Sequence, residues 1–349
     1  MKLAINFGAS GEDWEAATLF AVEAERLGVD MAWTAETWGY DAATPLAYLA
    51  AKTSRLRFGA GVLQIGARTP AMTAMTAMAL ASLSKDRFVL GLGVSGPQVI
   101  EGWHGVRFAQ PLQRMRETVD IVRMVTRGER LIYHGKIYDL PLPGGEGKAL
   151  VSSALPRPNL PIYLATLGPK NLELTGEIAD GWLGTSFIPE HASLFFDAIA
   201  AGANRVGRSL VDLDLQVAAG VVAFSDDVES LIAPRRRGLA FTLGAMGSRA
   251  HNFYNDVYRR AGYEEVAREV QDLWLRGERE AATARVPDEL VLKTNLIGTE
   301  DMVRERLRLY RTAGVNTLRV EPAGETLEER LATLARLNDL VKEDDTAAL

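Results

Sequence analysis

Short apolar runs alternate with longer amphipathic stretches along this chain, a rhythm that predicts repeated strand–helix units and a parallel sheet. Residues 3–7 read as a strand ending at Gly8. Residues 14–27 then carry apolar positions at helical spacing and stop at Gly28, the residue type that ends helices in the left-handed conformation. The pair recurs as a strand over 31–35 with a helix over 43–53, a strand over 56–65 with a helix opened by Pro70 and running to Leu83, and a strand over 87–94 with a helix over 110–127. Strands over 161–166, 182–186, 213–224 and 316–321 complete a set of eight, with helices over 172–179, 189–206, 302–313 and 327–341. Eight strands in this order favour an α/β fold, a single closed (β/α)8 TIM barrel over 1–349, above an open sheet. Two insertions interrupt the rhythm. One, at about 129–160, follows strand four and holds a hairpin around His134-Gly135-Lys136 and a stretch rich in Gly and Pro. The other, at about 228–290, follows strand seven and is helical, with Tyr254, Val257, Tyr258, Val266, Val270, Leu273 and Trp274 at helical spacing. The tail 343–349 reads as disordered.

Composition narrows the picture. The 349 residues are 47% hydrophobic and 24% charged, enough apolar surface for a sizeable core. A net charge of −6 gives no positive field to gather nucleic acid or anionic lipid. With no cysteine, the chain has no disulfide scaffold, zinc–thiolate site, iron–sulfur cluster or cysteine nucleophile. The first residues lack the apolar core and cleavage site of a signal peptide, and no run approaches the roughly 18 apolar residues that span a bilayer, so a cytoplasmic protein is expected.

In a barrel of this kind the chemistry sits where the strands end. After strand two, Ala35-Glu36-Thr37-Trp38-Gly39-Tyr40 offers a carboxylate, a hydroxyl and two aromatic rings; the carboxylate can bind a ligand, relay a proton or simply be solvated. Strand three contains Gly59 and Gly61, which weaken a strand unless something lies flat on its backbone, such as a ring, or the strand bulges. Strand four ends Gly91-Leu92-Gly93-Val94-Ser95-Gly96-Pro97, where backbone N–H groups and the Ser95 hydroxyl can meet an anion. Strand five ends Thr166-Leu167-Gly168-Pro169-Lys170-Asn171, a turn opening a helix with a lysine placed to neutralise phosphate. His104, His134, His191 and His251 are scattered, without metal-ligand spacing, and no metal site is expected. His104 is placed as a proton donor near the mouth or as a structural histidine. Arg235-Arg236-Arg237 reads as a solvated helix surface or an anion site. Arg249, His251, Asn252 and Tyr254 form a polar cluster able to close over a substrate or to act structurally.

The segments Gly59–Val62, Arg87-Phe88-Val89-Leu90-Gly91-Leu92-Gly93-Val94-Ser95-Gly96-Pro97 through Gly105, Pro161 through Leu183, and Asn252-Phe253-Tyr254-Asn255 through Tyr263 together resemble the luciferase-like monooxygenase superfamily. The likeness is to its coenzyme F420-dependent branch, which includes methylenetetrahydromethanopterin reductase and F420-dependent glucose-6-phosphate dehydrogenase, and it spans nearly the whole chain. It implies a deazaflavin ring in the barrel mouth, backed by a non-prolyl cis peptide at Gly61-Val62. It implies cofactor contacts from Glu36, Gly61, Val62 and Gln64, with Ser95, Gly96, Leu167, Gly168 and Lys170 along the phosphate-bearing tail. Thr37, Trp38, Thr185 and Phe187 fall on the substrate side, and Glu36 and His104 are the candidate catalytic groups. A homodimer and a small-molecule substrate are the partners it implies, with neither nucleic acid nor membrane.

The chain also departs from that branch. In the sugar-phosphate dehydrogenase a histidine follows the strand-two carboxylate and a glutamate follows the strand-four glycine; here Thr37 and Pro97 stand there, and Ile188 takes the place of a phosphate-gripping lysine. A non-phosphorylated substrate follows, in a hydride transfer to or from the deazaflavin C5. Two rivals stay open: an FMN-dependent monooxygenase of the same superfamily, and a non-catalytic deazaflavin or flavin carrier.

Overall fold

The computed structural model describes residues 1–8, 13–247 and 252–347, without the side chains of 344–347. Arg249 and His251 of the predicted polar cluster lie outside the described residues, as do residues 348–349 of the tail; residues 343–347, read as disordered, instead continue the last helix, Leu327–Ala347. Eight parallel strands form the barrel: β1 (Lys2–Asn6), β2 (Met31–Thr34), β3 (Arg57–Ala60), β4 (Phe88–Gly93), β5 (Ile162–Ala165), β6 (Gly181–Gly184), β7 (Asp214–Phe224) and β8 (Thr317–Pro322). Each pairs with the next in chain order, and β8 returns to β1 with Lys2 opposite Thr317 and Ile5 opposite Val320, so the sheet closes. No helix among the described residues is long and apolar enough to cross a membrane.

The predicted third strand is split. Pairing stops after Ala60, the Gly61-Val62 peptide is cis, and Leu63–Gln64 then resume pairing with Leu92 and Gly93. The reason for the two glycines is also internal. An added Cβ would lie 2.5 Å from the Trp33 ring at Gly59 and 3.1 Å from it at Gly61, so these glycines leave room for an indole of the protein itself. Gly91 and Gly93 are likewise packed, against Ala60 and Val62 respectively, and Gly93 also lines a cavity at the end of β4.

The outer helices follow the sequence signals. Trp14–Leu27 begins where the Asp13 carboxylate accepts the Ala16 N–H (2.9 Å) and ends at Gly28 with φ 93°. Pro70–Leu83 begins with Pro at its first turn behind the Thr69 hydroxyl. One large core lies between strands and helices. A small second layer inside the barrel comprises Ala4, Met31, Trp33, Val89, Tyr163 and Leu183.

The first insertion holds the short antiparallel pair Tyr133–His134 and Asp139–Leu140. The second holds the helices Val228–Gly244, Phe253–Tyr258, Glu264–Leu275, Arg279–Ala284 and Asp288–Thr294 around a cluster of their own that includes Leu243, Tyr258, Val270 and Leu290. A short strand, Leu296–Gly298, follows them and extends the upper end of β7, an element the hydrophobic pattern did not reveal.

Candidate active site

Two cavities open at the C-terminal ends of the strands. The floor of the larger one is built on Trp33, whose side chain faces the barrel axis from β2. Its indole N–H donates to Gln216 Oε1 (2.9 Å), and Gln216 Nε2 donates to Asp214 Oδ2 (2.9 Å), which also accepts the Tyr163 hydroxyl (2.7 Å). Burial, then the Asp214 carboxylate, pushes the Tyr163 phenol well above its ordinary range, so it remains a neutral donor. The floor is thus a fixed polar chain under an aromatic plate.

The smaller cavity, of about 410 Å³, runs from Val62 along the ends of β4 and β5. Ser95, Gly96, Thr166, Leu167, Gly168 and Asn171 edge it on one side, and Trp38, Leu183 and Thr185 on another. The helical insertion supplies the remaining wall through Phe241, Met246, Phe253 and Tyr254. Ser95 turns off β4 with φ 58°, a left-handed conformation that costs a non-glycine residue about 1 kcal/mol. The helix Pro169–Ile178 starts at Gly168 with no side chain over its first turn, leaving backbone N–H groups pointing out of its N-terminus. Asn171 Oδ1 is buried there without a partner.

The larger cavity, of about 1050 Å³, lies toward β1 and β8 and is lined by Asn6, Phe7, Trp14, Thr34, Thr37, Tyr40, Arg319 and Glu321, among others. Gly61 lines this cavity and Val62 the other, so the cis peptide stands at the divide between them.

The remaining predicted residues lie elsewhere. Glu36 contributes to neither lining: its carboxylate pairs with Arg68 and accepts the Ala42 N–H (3.1 Å), which makes it an anchor of the loop after β2. Gln64 is buried beneath that loop, donating from Nε2 to the Glu36 and Thr37 carbonyls (both 2.8 Å) while Oε1 has no partner. His104 is partly buried with Nε2 enclosed and unbonded, away from both cavities. Lys170 is exposed on the first helical turn and paired with Glu173 (3.0 Å). Phe187 belongs to the core, its ring packed among Trp182, Phe195, Phe196 and Tyr310.

Of the predicted polar cluster, Tyr254 reaches the smaller cavity, whereas Asn252 caps the helix Phe253–Tyr258 and donates to the Leu243 carbonyl (3.0 Å). Arg236 is held by Asp288, and Arg235 donates to the Leu231 carbonyl of its own helix. Trp33 and Arg319 escaped the sequence reading, and Asn171 entered it only as the end of the strand-five turn. A signal existed for Arg319, since Leu318 and Val320 mark the helix-facing side of the strand and the two-residue period then turns the arginine between them to the barrel axis.

A closed barrel with its cavities at the C-terminal ends of the strands has the layout of a barrel enzyme. Residues 4–317 match the family described as Luciferase-like monooxygenase, and the chain belongs to that family. Over 347 residues, 97% of this chain and 99% of the relative, it is 43% identical to a Mycobacterium tuberculosis (strain H37Rv) protein provisionally named a coenzyme F420-dependent oxidoreductase. It is 28% identical to the 5,10-methylenetetrahydromethanopterin reductase of Archaeoglobus fulgidus over 298 residues, 84% of this chain and 85% of that one. Among solved structures, the coenzyme F420-dependent tetrahydromethanopterin reductase of Methanopyrus kandleri shares the fold with a TM-score of 0.79 at 19% identity, covering 99% of this chain and 98% of that one.

Proposed function

We propose that this chain is a coenzyme F420-dependent oxidoreductase that moves a hydride between the deazaflavin C5 and a small, non-phosphorylated organic substrate. The observation that carries the reading is the smaller cavity. It is a slot walled by apolar side chains at the Val62 end and by an uncapped helix N-terminus at the other, a match to a flat ring with an anionic tail. The unpartnered Asn171 Oδ1 adds an acceptor at the tail end, where a hydroxyl-rich chain would satisfy it. Bound there, the cofactor supplies the hydride donor or acceptor.

The protein's own part is binding, orientation and exclusion of water. Val62, Leu183, Phe253 and Tyr254 would hold the ring between the barrel and the insertion, and Lys170, on releasing Glu173, would add a cation for a phosphate at the helix start. Glu36 holds the Thr37–Trp38 loop in place through Arg68 and the Ala42 N–H, so its contribution is positional.

Titration of the purified protein with oxidised F420 and separately with FMN, following the quenching of each fluorescence, tests the reading. Micromolar or tighter F420 binding, weak FMN binding and a several-fold loss in Lys170→Ala are expected. Tight FMN binding without F420 binding overturns it in favour of oxygen-dependent flavin chemistry.

A further inference from the structure

Side chains alternate along β8. Leu318 and Val320 pack outward against the helices, so Thr317, Arg319 and Glu321 face the barrel axis. Thr317 is buried in the floor. Glu321 is exposed at the rim, where its charge is felt by Arg235. Arg319 stands between them, in the wall of the larger cavity.

Its guanidinium is poorly matched by the protein. Nη2 donates to the Gly184 carbonyl at the end of β6 (2.9 Å), Nε is sealed from solvent without an acceptor, and Arg319 forms no ion pair among the described residues. Arg87 shows what this fold does with a structural arginine. Its guanidinium donates to the carbonyls of Ala50, Thr53, Leu56 and Ser84 and to the Thr53 hydroxyl, all within 3.1 Å. A guanidinium carries five N–H donors in a planar fork; here one meets a neutral carbonyl, the Nε donor meets nothing, and the fork lines a cavity wide enough for a ligand to supply the charged acceptor that the protein does not. Burial pushes Arg319 down to about 10, partly offset by Tyr254, and it stays charged at neutral pH.

We propose that Arg319 anchors a carboxylate on the substrate, so that the larger cavity receives small organic acids. The inference rests on the F420-dependent reading for the reaction and stands on its own for binding. A carboxylate fits the fork with two parallel hydrogen bonds and returns the missing charge partner. Phe7, Trp14 and Tyr40 form an adjoining aromatic wall, with ring centroids 5.9 and 5.5 Å apart, which suits an apolar body behind the acid group. Asp41, also at this cavity, is occupied in accepting the Thr44 N–H at the start of the helix Ala43–Lys52. The glycine-edged ends of β4 and β5 line the other cavity, which separates the cation from the tail-binding end.

The probes are phenylacetate and its neutral amide, phenylacetamide, each titrated into the apoprotein and followed by saturation-transfer NMR, with F420 titrated in parallel by fluorescence quenching. The expected result for the unmodified protein is at least tenfold tighter binding of the acid than of the amide. Arg319→Met should abolish that preference, Arg319→Lys should keep part of it, and F420 affinity should change less than about threefold in either. Equal binding of acid and amide by the unmodified protein overturns the proposal without recourse to any variant. A tenfold loss of F420 affinity in Arg319→Met with unchanged phenylacetate binding also overturns it and assigns the cation to the cofactor ring. If F420 fails to bind the unmodified protein while the Arg319-dependent preference for the acid is present, the cofactor reading falls and the carboxylate site stands.

Discussion

Trp33 is the residue around which the site is organised. Its ring fills the barrel centre, its N–H is spent on Gln216, and its bulk explains why glycine stands at Gly59 in β3 and at Gly61 just past it. Gly59→Ala should therefore overpack this layer. The new methyl meets Trp33 at 2.5 Å and the Val89 carbonyl at 2.7 Å, and the backbone oxygen cannot rotate away. A loss of about 1–3 kcal/mol is expected in denaturant unfolding. Trp33→Leu added to Gly59→Ala should recover part of it, and a double-mutant cycle reads the coupling directly. Additive losses from the two substitutions would mean that the ring and the glycine do not share the space. At this scale the sequence announced that something pressed on β3 but not what, because a glycine records the absence of a Cβ and is silent about the neighbour that requires it. Glu36 shows the converse. A carboxylate at a strand end is legible, yet its orientation depends on Arg68, 32 residues away, and no local pattern reports that pairing.

Between elements, buried carboxylates act as clasps. Glu117, fully buried on the helix Pro111–Thr126, accepts backbone N–H groups from Lys136 (2.7 Å), Ile137 (3.0 Å) and Tyr138 (2.9 Å) and the Gln113 amide (2.7 Å), fixing the hairpin insertion to the barrel. Glu25 does the same for the entry to β3 through Ser54, Arg55 and Leu56. For both, burial works against the ionised form, but the hydrogen bonds outweigh it and hold the pKa below the ordinary carboxylate value. A depressed folded pKa means that the stabilisation is fully present above the unfolded value of 4.5 and fades as pH falls through the lower, folded value. Glu117→Gln puts an amide donor among donors and should cost about 2–4 kcal/mol at pH 7. The gap from the unmodified protein, measured by urea unfolding, should narrow as the pH is taken below 4.5; a gap independent of pH would show that the charge has no part in the clasp. The insertions themselves were legible as breaks in rhythm. That the second one walls the smaller cavity with Phe241, Met246, Phe253 and Tyr254 was not, since apolar residues at helical spacing look alike whether they meet a core or a ligand.

For the whole molecule, barrel closure could be read from eight strand signals in order, because right-handed βα connections leave few other arrangements for them. What the chain does with its outer surface is harder to read, and the helix Pro70–Leu83 is the instructive case. Apolar residues surround it, so periodicity alone gives it no outward face. In the folded chain Thr73, Ala74, Ala77, Met78, Leu80 and Ala81 are buried, which leaves Met72, Met75 and Leu83 at least half exposed along one stripe, with Tyr48 exposed on the preceding helix that packs beside it. A contiguous exposed apolar stripe is costly for a lone soluble chain and is the kind of surface that association buries. The resemblance implies a homodimer, and this stripe is the face proposed for the second copy: a twofold contact would set Met72 and Met75 of one protomer against the same helix of its partner. Met75→Asp places a charge in the middle of that contact at a position more than half exposed in the single chain. Light scattering during size-exclusion chromatography should then report the mass of one 38.0 kDa chain for the variant and of two for the unmodified protein, with thermal unfolding of the variant becoming independent of protein concentration. A variant that elutes with the mass of the unmodified protein would place the contact elsewhere on the barrel.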